Sequence, residues 1–232
     1  MKQNDLALIY AWDAYCGWCY GFSKTLQIFH ENHPELPLTV WSGGLFVGRN
    51  KRPIGSFPHV PEANKRISQL TGAEFGTSYQ SLLEEGHFVM DSEIAAKGFS
   101  ALRTFAPERA YDLASSMQHA FYYEGKSLSD PATYRDIAMA HNLDPDGVQG
   151  QFESAVSTKD AHADIAMLQQ LGVQSFPTLL LQKGGEYFGF GGDIMTVEKL
   201  ETRLVRMIQE IEKQETIEAS TGMSCDLASG SC

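Results

Sequence analysis

The sequence predicts an α/β protein: a βαβ unit, then an all-helical insertion, then an αββα segment that completes a mixed sheet. Three observations carry this. Leu6 to Trp12 is a short, nearly continuous apolar run, followed at once by a helical pattern and a second apolar run, Leu38 to Trp41. The stretch from about 62 to 157 reads helical throughout. Thr178 to Leu181 and Tyr187 to Phe190 flank Lys183-Gly184-Gly185-Glu186, whose paired glycines suit a primed hairpin turn.

In chain order, the first run reads as a buried central strand. Residues 16 to 32 read as a helix with Phe22, Leu26 and Phe29 on its apolar face, and Pro34 and Pro37 mark its exit. Gly43-Gly44 closes the second strand, and the basic, Pro-containing stretch 49–61 reads as a loop. Within the helical stretch, Ser92 is a candidate cap for a helix to Phe105, and a second runs from Pro107 to Glu124. Asp130-Pro131 matches an N-cap followed by proline at the first helical position. Asp144-Pro145-Asp146-Gly147 reads as a turn, which gives four or five helices in the insertion. Thr158 is a candidate cap for the next helix, and Gly172 fits its C-terminal end. A last helix from Val197 carries Leu200, Leu204, Met207 and Ile211. The expected organisation is 1–60, an N-terminal βαβ part; 61–157, the helical insertion; 158–214, the αββα part; and 215–232, a flexible tail.

Composition narrows the function. With 232 residues and 43% hydrophobic content the chain can bury a core without disulfide staples. A net charge of −11 argues against a nucleic-acid surface, which needs clustered Lys and Arg. No run is long enough to span a bilayer, and the apolar N-terminal run stops at Asp13 without a cleavage-site pattern. A cytoplasmic location, with no membrane partner, is the expectation.

Four cysteines occur, as two local pairs: Cys16 with Cys19, and Cys225 with Cys232. A secreted disulfide scaffold would spread them through the fold, so redox or metal chemistry is indicated instead. Cys16-Gly17-Trp18-Cys19 sits where the first strand gives way to the first helix. A helix N-terminus presents unpaired N–H groups and a partial positive charge, and so stabilises a thiolate. The i, i+3 spacing puts both sulfurs on one face of the first turn. Cys16 is therefore the expected exposed nucleophile and Cys19 the shielded resolving thiol. The competing reading is half of a zinc site, to which Cys225 and Cys232 would have to contribute. Trp12, Tyr15, Trp18, Tyr20 and Phe22 surround the motif. Tyr15 and Trp18, if exposed, would form an apolar landing surface for unfolded polypeptide.

Pro177, directly before the third strand, is on residues alone an ordinary strand-initiating proline. Together with the Trp12 to Phe22 segment, the helical insertion and Gly172-Val-Gln-Ser-Phe-Pro-Thr178, it carries a resemblance. The chain resembles the thioredoxin superfamily, specifically its DsbA-like branch and within that the cytosolic FrnE-like group, over about residues 5 to 213. The resemblance implies a thioredoxin fold and a disulfide oxidoreductase or isomerase. It also implies a cis bond before Pro177, facing Cys16, and pairing of the Phe176 backbone with an extended substrate. Thiols and disulfides of proteins, peptides or glutathione are the implied partners, and no cofactor is required. The chain departs from the branch in carrying Gly17-Trp18 between its cysteines, where DsbA has Pro-His, so the redox potential is not carried over. Tyr10 stands where the superfamily has a buried acid. Asp13 is the nearest carboxylate, either a proton relay for Cys19 or a residue satisfying helix-start N–H groups.

Cys225 and Cys232 lie about ten residues past the last helix, a reach of roughly 35 Å when extended. They are an auxiliary dithiol, ligands for a soft metal, or inert. By resemblance to FrnE-like proteins the first reading is favoured. The seven histidines show no paired metal-binding spacing. Two functions compete with the oxidoreductase. A glutathione-dependent isomerase or transferase would use a lone thiol or Ser at position 16, against which the retained Cys19 counts. A metal-handling or chaperone-like binding protein would use the cysteines as ligands.

Overall fold

The computed structural model describes residues 6–192 and 195–222. Cys225 and Cys232 lie outside them. The elements run β1 (Leu6–Trp12), α1 (Gly17–Asn32), β2 (Leu38–Ser42), α2 (Val60–Thr71), α3 (Thr77–Glu85), α4 (Ser92–Phe105) and α5 (Ala110–Tyr122). They continue with α6 (Pro131–Ala140), α7 (Pro145–Glu153), α8 (Ala155–Gln170), β3 (Thr178–Lys183), β4 (Glu186–Gly192) and α9 (Val197–Gly222).

The sheet order is β2-β1-β3-β4. β1 pairs parallel with β2 and antiparallel with β3, and β3 pairs antiparallel with β4. This is the thioredoxin fold. The predicted hairpin is present, with Gly184 and Gly185 at φ of 57° and 89°, where a side chain would strain the backbone. β1 is central and covered on both faces: Leu8, Tyr10 and Trp12 on one and Ile9 and Ala11 on the other are each at most 2% exposed. α1 packs its Phe22–Leu26–Phe29 face onto the sheet. Each such aromatic or Leu contributes roughly 1.5–3 kcal/mol by leaving water.

Six α-helices, not four or five, lie between β2 and α8. α3 has no strong periodic stripe, and the residues read as a turn are the start of α7. Asp144 caps that helix through Asp146 N at 3.1 Å, and Pro145 takes the first helical position. Two expected caps are displaced. Asp91, not Ser92, caps α4, accepting from Glu93 N and Ile94 N; Ser154, not Thr158, caps α8. The Asp130 cap of α6 stands as read. α9 continues through 215–222, residues expected in the tail. Its apolar stripe ends earlier, but a helix once nucleated gains a hydrogen bond per added residue, and Glu-rich sequence propagates it well.

A buried polar group ties the helices to the sheet. Arg103 on α4 donates to Val40 O at 2.8 Å and forks onto both oxygens of Asp164 on α8, at 2.9 and 3.1 Å. Asp164 also accepts from Ser42 N at 3.1 Å. Burial raises the Asp164 pKa, and the Arg103 cation opposes it.

Candidate active site

β1 ends at Trp12, and the chain turns through Asp13, Ala14 and Tyr15 before α1. Cys16 N donates to Asp13 O at 3.0 Å, and Tyr15 N to Asp13 Oδ1 at 3.0 Å. Cys16 then has extended backbone (φ −87°, ψ 107°) and is itself the N-cap of α1. Its sulfur accepts from Cys19 N at 3.3 Å, taking the place a Ser or Asp oxygen takes in an ordinary cap. The Cys16 Sγ–H donates to Phe176 O at 3.2 Å. The Phe176–Pro177 bond is cis. Both cysteines are free thiols.

Phe176 is held by a close approach. Its ring lies on the Gly43 backbone, where an added Cβ would sit 2.3 Å from the ring's Cζ. Gly43 N in turn donates to Trp12 O at 2.6 Å, so the end of β1, the exit of β2 and the residue before β3 converge on one point.

Asp13 is 1% exposed. The N-cap of α1 is Cys16, and the N–H that Asp13 satisfies on this segment is that of Tyr15, in the turn before the helix. Oδ1 accepts from Tyr15 N and from Ser92 Oγ at 3.0 Å, and Oδ2 from Leu45 N at 2.9 Å. Ser92 Oγ accepts in turn from Phe46 N at 3.0 Å. The carboxylate thus joins the α1 entry, the loop after β2 and α4. Burial pushes its pKa up to about 6, against the three hydrogen bonds.

Cys19 is sealed, at 0% exposure. Burial drives its thiol pKa well up, and the neighbouring Cys16 sulfur adds to the effect. Cys16 is more covered than expected, at 5%. It is reached through a cleft of about 330 Å³ walled by Trp18, Ile54, Asn64, Tyr122 and Phe176. Trp18 is half-buried, with the Arg66 guanidinium 6.0 Å from its ring centroid. Tyr15 is not a landing surface. It is 3% exposed, with its ring edge-on to Phe121 at 4.8 Å and near Phe46 and Phe88. The insertion supplies Phe88 and Phe121 and the loop after β2 supplies Phe46, and sequence spacing shows none of them.

The insertion also supplies site residues with no sequence signal. Gln118 Nε2 on α5 donates to Asp13 O at 3.2 Å and Cys16 O at 3.4 Å. Asn64 Nδ2 on α2 donates to Tyr79 Oη at 3.0 Å and forms part of the cleft wall. Among the described residues no group of His, Cys, Asp and Glu is arranged to hold a metal.

Two thiols at the start of a helix thus lie beside the carbonyl that precedes a cis proline, in a thioredoxin fold. A family model described as a DsbA-like thioredoxin domain matches residues 8–205, and the chain belongs to that family. No curated protein sequence matches it as a relative. Among solved structures it is similar to a candidate protein disulfide isomerase from Nitrosomonas europaea. That match has 20% identity and TM-score 0.78, covering 89% of this chain and 98% of that one. It is also similar to the cytosolic disulfide reductase DsbM from Pseudomonas aeruginosa, at 24% identity and TM-score 0.73, covering 88% and 98%. A structure of DsbM with GSH matches at 25% identity and TM-score 0.69, covering 88% and 98%.

Proposed function

We propose that this protein exchanges disulfides with protein, peptide or glutathione substrates, in the reducing or isomerising direction, with Cys16 attacking and Cys19 resolving. The observation that carries the reading is the Cys16 sulfur itself. It faces the cleft as the N-cap of α1, one hydrogen bond from Cys19 N and one from Phe176 O. A thiolate formed there keeps the Cys19 N–H and gains the helix dipole. It attacks a substrate disulfide R–S–S–R′, forming Cys16–S–S–R and releasing R′ as a thiol. Cys19 then attacks the Cys16 sulfur, forming the internal disulfide and releasing R–SH, with its proton passing to the departing sulfur. Once Cys16 is in a disulfide it has no S–H. Phe176 O, beside Pro177, is then free to accept from a substrate backbone N–H, and an extended segment pairs there.

Several details belong to the same proposal. The reducing direction suits a cytosolic thiol pool, and DsbM is described as a cytosolic disulfide reductase. That DsbM was solved with GSH supports glutathione as one thiol partner. Trp18 contributes an apolar lip to the cleft, and Tyr15 and Asp13 hold the turn that aims Cys16. Cys225 and Cys232 are an auxiliary dithiol that exchanges with the Cys16–Cys19 pair. Retention of Cys19 disfavours a single-thiol transferase.

The test uses Cys19→Ser with Cys225 and Cys232 replaced by Ser. A disulfide-containing peptide should accumulate as a mixed disulfide through Cys16, identified by mass spectrometry. Absence of that adduct, or undiminished turnover with glutathione, overturns the reading. Equilibration of the Cys16–Cys19 pair against glutathione then gives its direction.

A further inference from the structure

Tyr10 lies on β1, directly beneath the first turn of α1. It is 2% exposed, and its ring packs 6.3 Å from Phe22 and 6.2 Å from Tyr111. Its hydroxyl faces the Cys19 thiol, but the two do not meet hydrogen-bond geometry, and among the described residues no other group partners the oxygen. A buried hydroxyl without a partner costs roughly 1–3 kcal/mol, so its presence calls for an explanation. The thioredoxin fold does not need it, since a phenyl ring would fill the same space.

We infer that Tyr10 Oη is the hydrogen-bond donor that receives the Cys19 thiolate when the mixed disulfide at Cys16 is resolved. This rests on the reading of Cys19 as the resolving thiol. In the resting protein Cys19 is a neutral thiol, because it is sealed from water. To attack Cys16 it must shed its proton in that dry site, where an anion without a donor is very costly. The groups that face it are few. Cys16 and the Asp13 carboxylate disfavour a second negative charge, and the Asp13 backbone eases it only in part. Tyr122, from α5, faces both cysteines but also lines the cleft. Tyr111, from α5, faces Tyr10, and its hydroxyl is committed to Ser23 O. Tyr10 Oη is a donor with no prior commitment. Burial and the nearby thiols hold its own pKa far up, so it stays protonated and donates rather than ionises.

The step is balanced. The Cys16–S–S–R bond breaks, the Cys16–S–S–Cys19 bond forms, and the proton lost by Cys19 ends on R–SH. Tyr10 keeps its proton throughout and stabilises charge only while the thiolate exists.

The test isolates Cys19 in the full chain by Cys16→Ala, Cys225→Ser and Cys232→Ser, and follows the Cys19 Cβ chemical shift against pH by NMR. Adding Tyr10→Phe should move the titration upward by about one pH unit, a roughly tenfold loss of thiolate at a given pH. Replacing Tyr10 by a ring-fluorinated tyrosine, a stronger donor, should move it down. An unchanged titration in both overturns the inference. Should Tyr10→Phe fail to fold, the fluorinated protein alone decides. With Cys16 restored, Tyr10→Phe should slow release of a preformed Cys16–thionitrobenzoate disulfide about tenfold. The titration is independent of turnover. A shifted titration without any Cys16 adduct would refute the proposed function and leave this inference standing, and the reverse result would refute only this one.

Discussion

Asp13 joins the turn before α1 to a loop and a helix through three accepted hydrogen bonds. Its carboxyl titrates at about 6 in the folded protein against an ordinary 3.8. Between those values the folded state holds a proton that the unfolded chain has released. The stability this contributes is full below 3.8 and is lost as pH rises through about 6. Asp13→Asn should abolish that slope, as read from denaturant melts on either side of the window. It should also cost about 1–2 kcal/mol, because an amide N–H would face a donor such as Leu45 N. An identical pH dependence in the variant would contradict the assignment. Gly43 is the other residue on which the site turns. Gly43→Ala would place Cβ 2.3 Å from Phe176 Cζ, so the ring and its carbonyl must shift. Stability should fall by roughly 2 kcal/mol. Turnover of a disulfide substrate should fall about tenfold, because misplacing a positioning group by an ångström is expensive. A fold loss without a turnover loss beyond it would show that Phe176 O does not position substrate.

At the scale of elements, the end of α1 is bonded to α9. His33 Nε2 lies 2.6 Å from Glu201 Oε2, and Nδ1 lies 3.0 Å from Glu35 Oε1. Burial draws the imidazole pKa down, but the two carboxylates prevail and the net direction is up. A raised histidine contributes stability that is present below the ordinary value of 6.5 and is lost as pH rises through its folded value. In His33→Gln, amide exchange in the first turns of α9 should quicken at acid pH and become less pH-dependent. Equal protection in both proteins would leave α9 held by its apolar stripe alone. That stripe, Leu200, Leu204, Met207 and Ile211, was readable from spacing, as were β1, β2 and the hairpin. α7 was not readable as a helix, because Asp144-Pro145-Asp146-Gly147 suits a turn and a capped helix start equally. Local chemistry does not separate the two; packing of α7 against α6 does.

For the molecule as a whole, the Arg103–Asp164 fork is the polar joint between the helices and the sheet. Asp164→Ala would leave a largely covered guanidinium unpaired and Ser42 N without its acceptor. It should destabilise the fold by roughly 3 kcal/mol in a denaturant melt, and replacing both partners by apolar residues should recover part of that. A loss below about 0.5 kcal/mol would place the pair with ordinary surface bridges. By itself the sequence determined the order of the four strands, the helices α1, α4, α5, α6, α8 and α9, and the placement of Cys16 and Cys19 at a helix start. Those depend on periodicity and on spacing within one turn. Tertiary structure alone decided that Tyr15 is core, that Asp13 bridges three segments, that Gln118, Asn64 and Tyr122 border the thiols, and that the Tyr10 hydroxyl is left without a partner. Each depends on which side chain from a distant element fills a given space. Long-range packing sets that choice, and no local pattern in the chain encodes it.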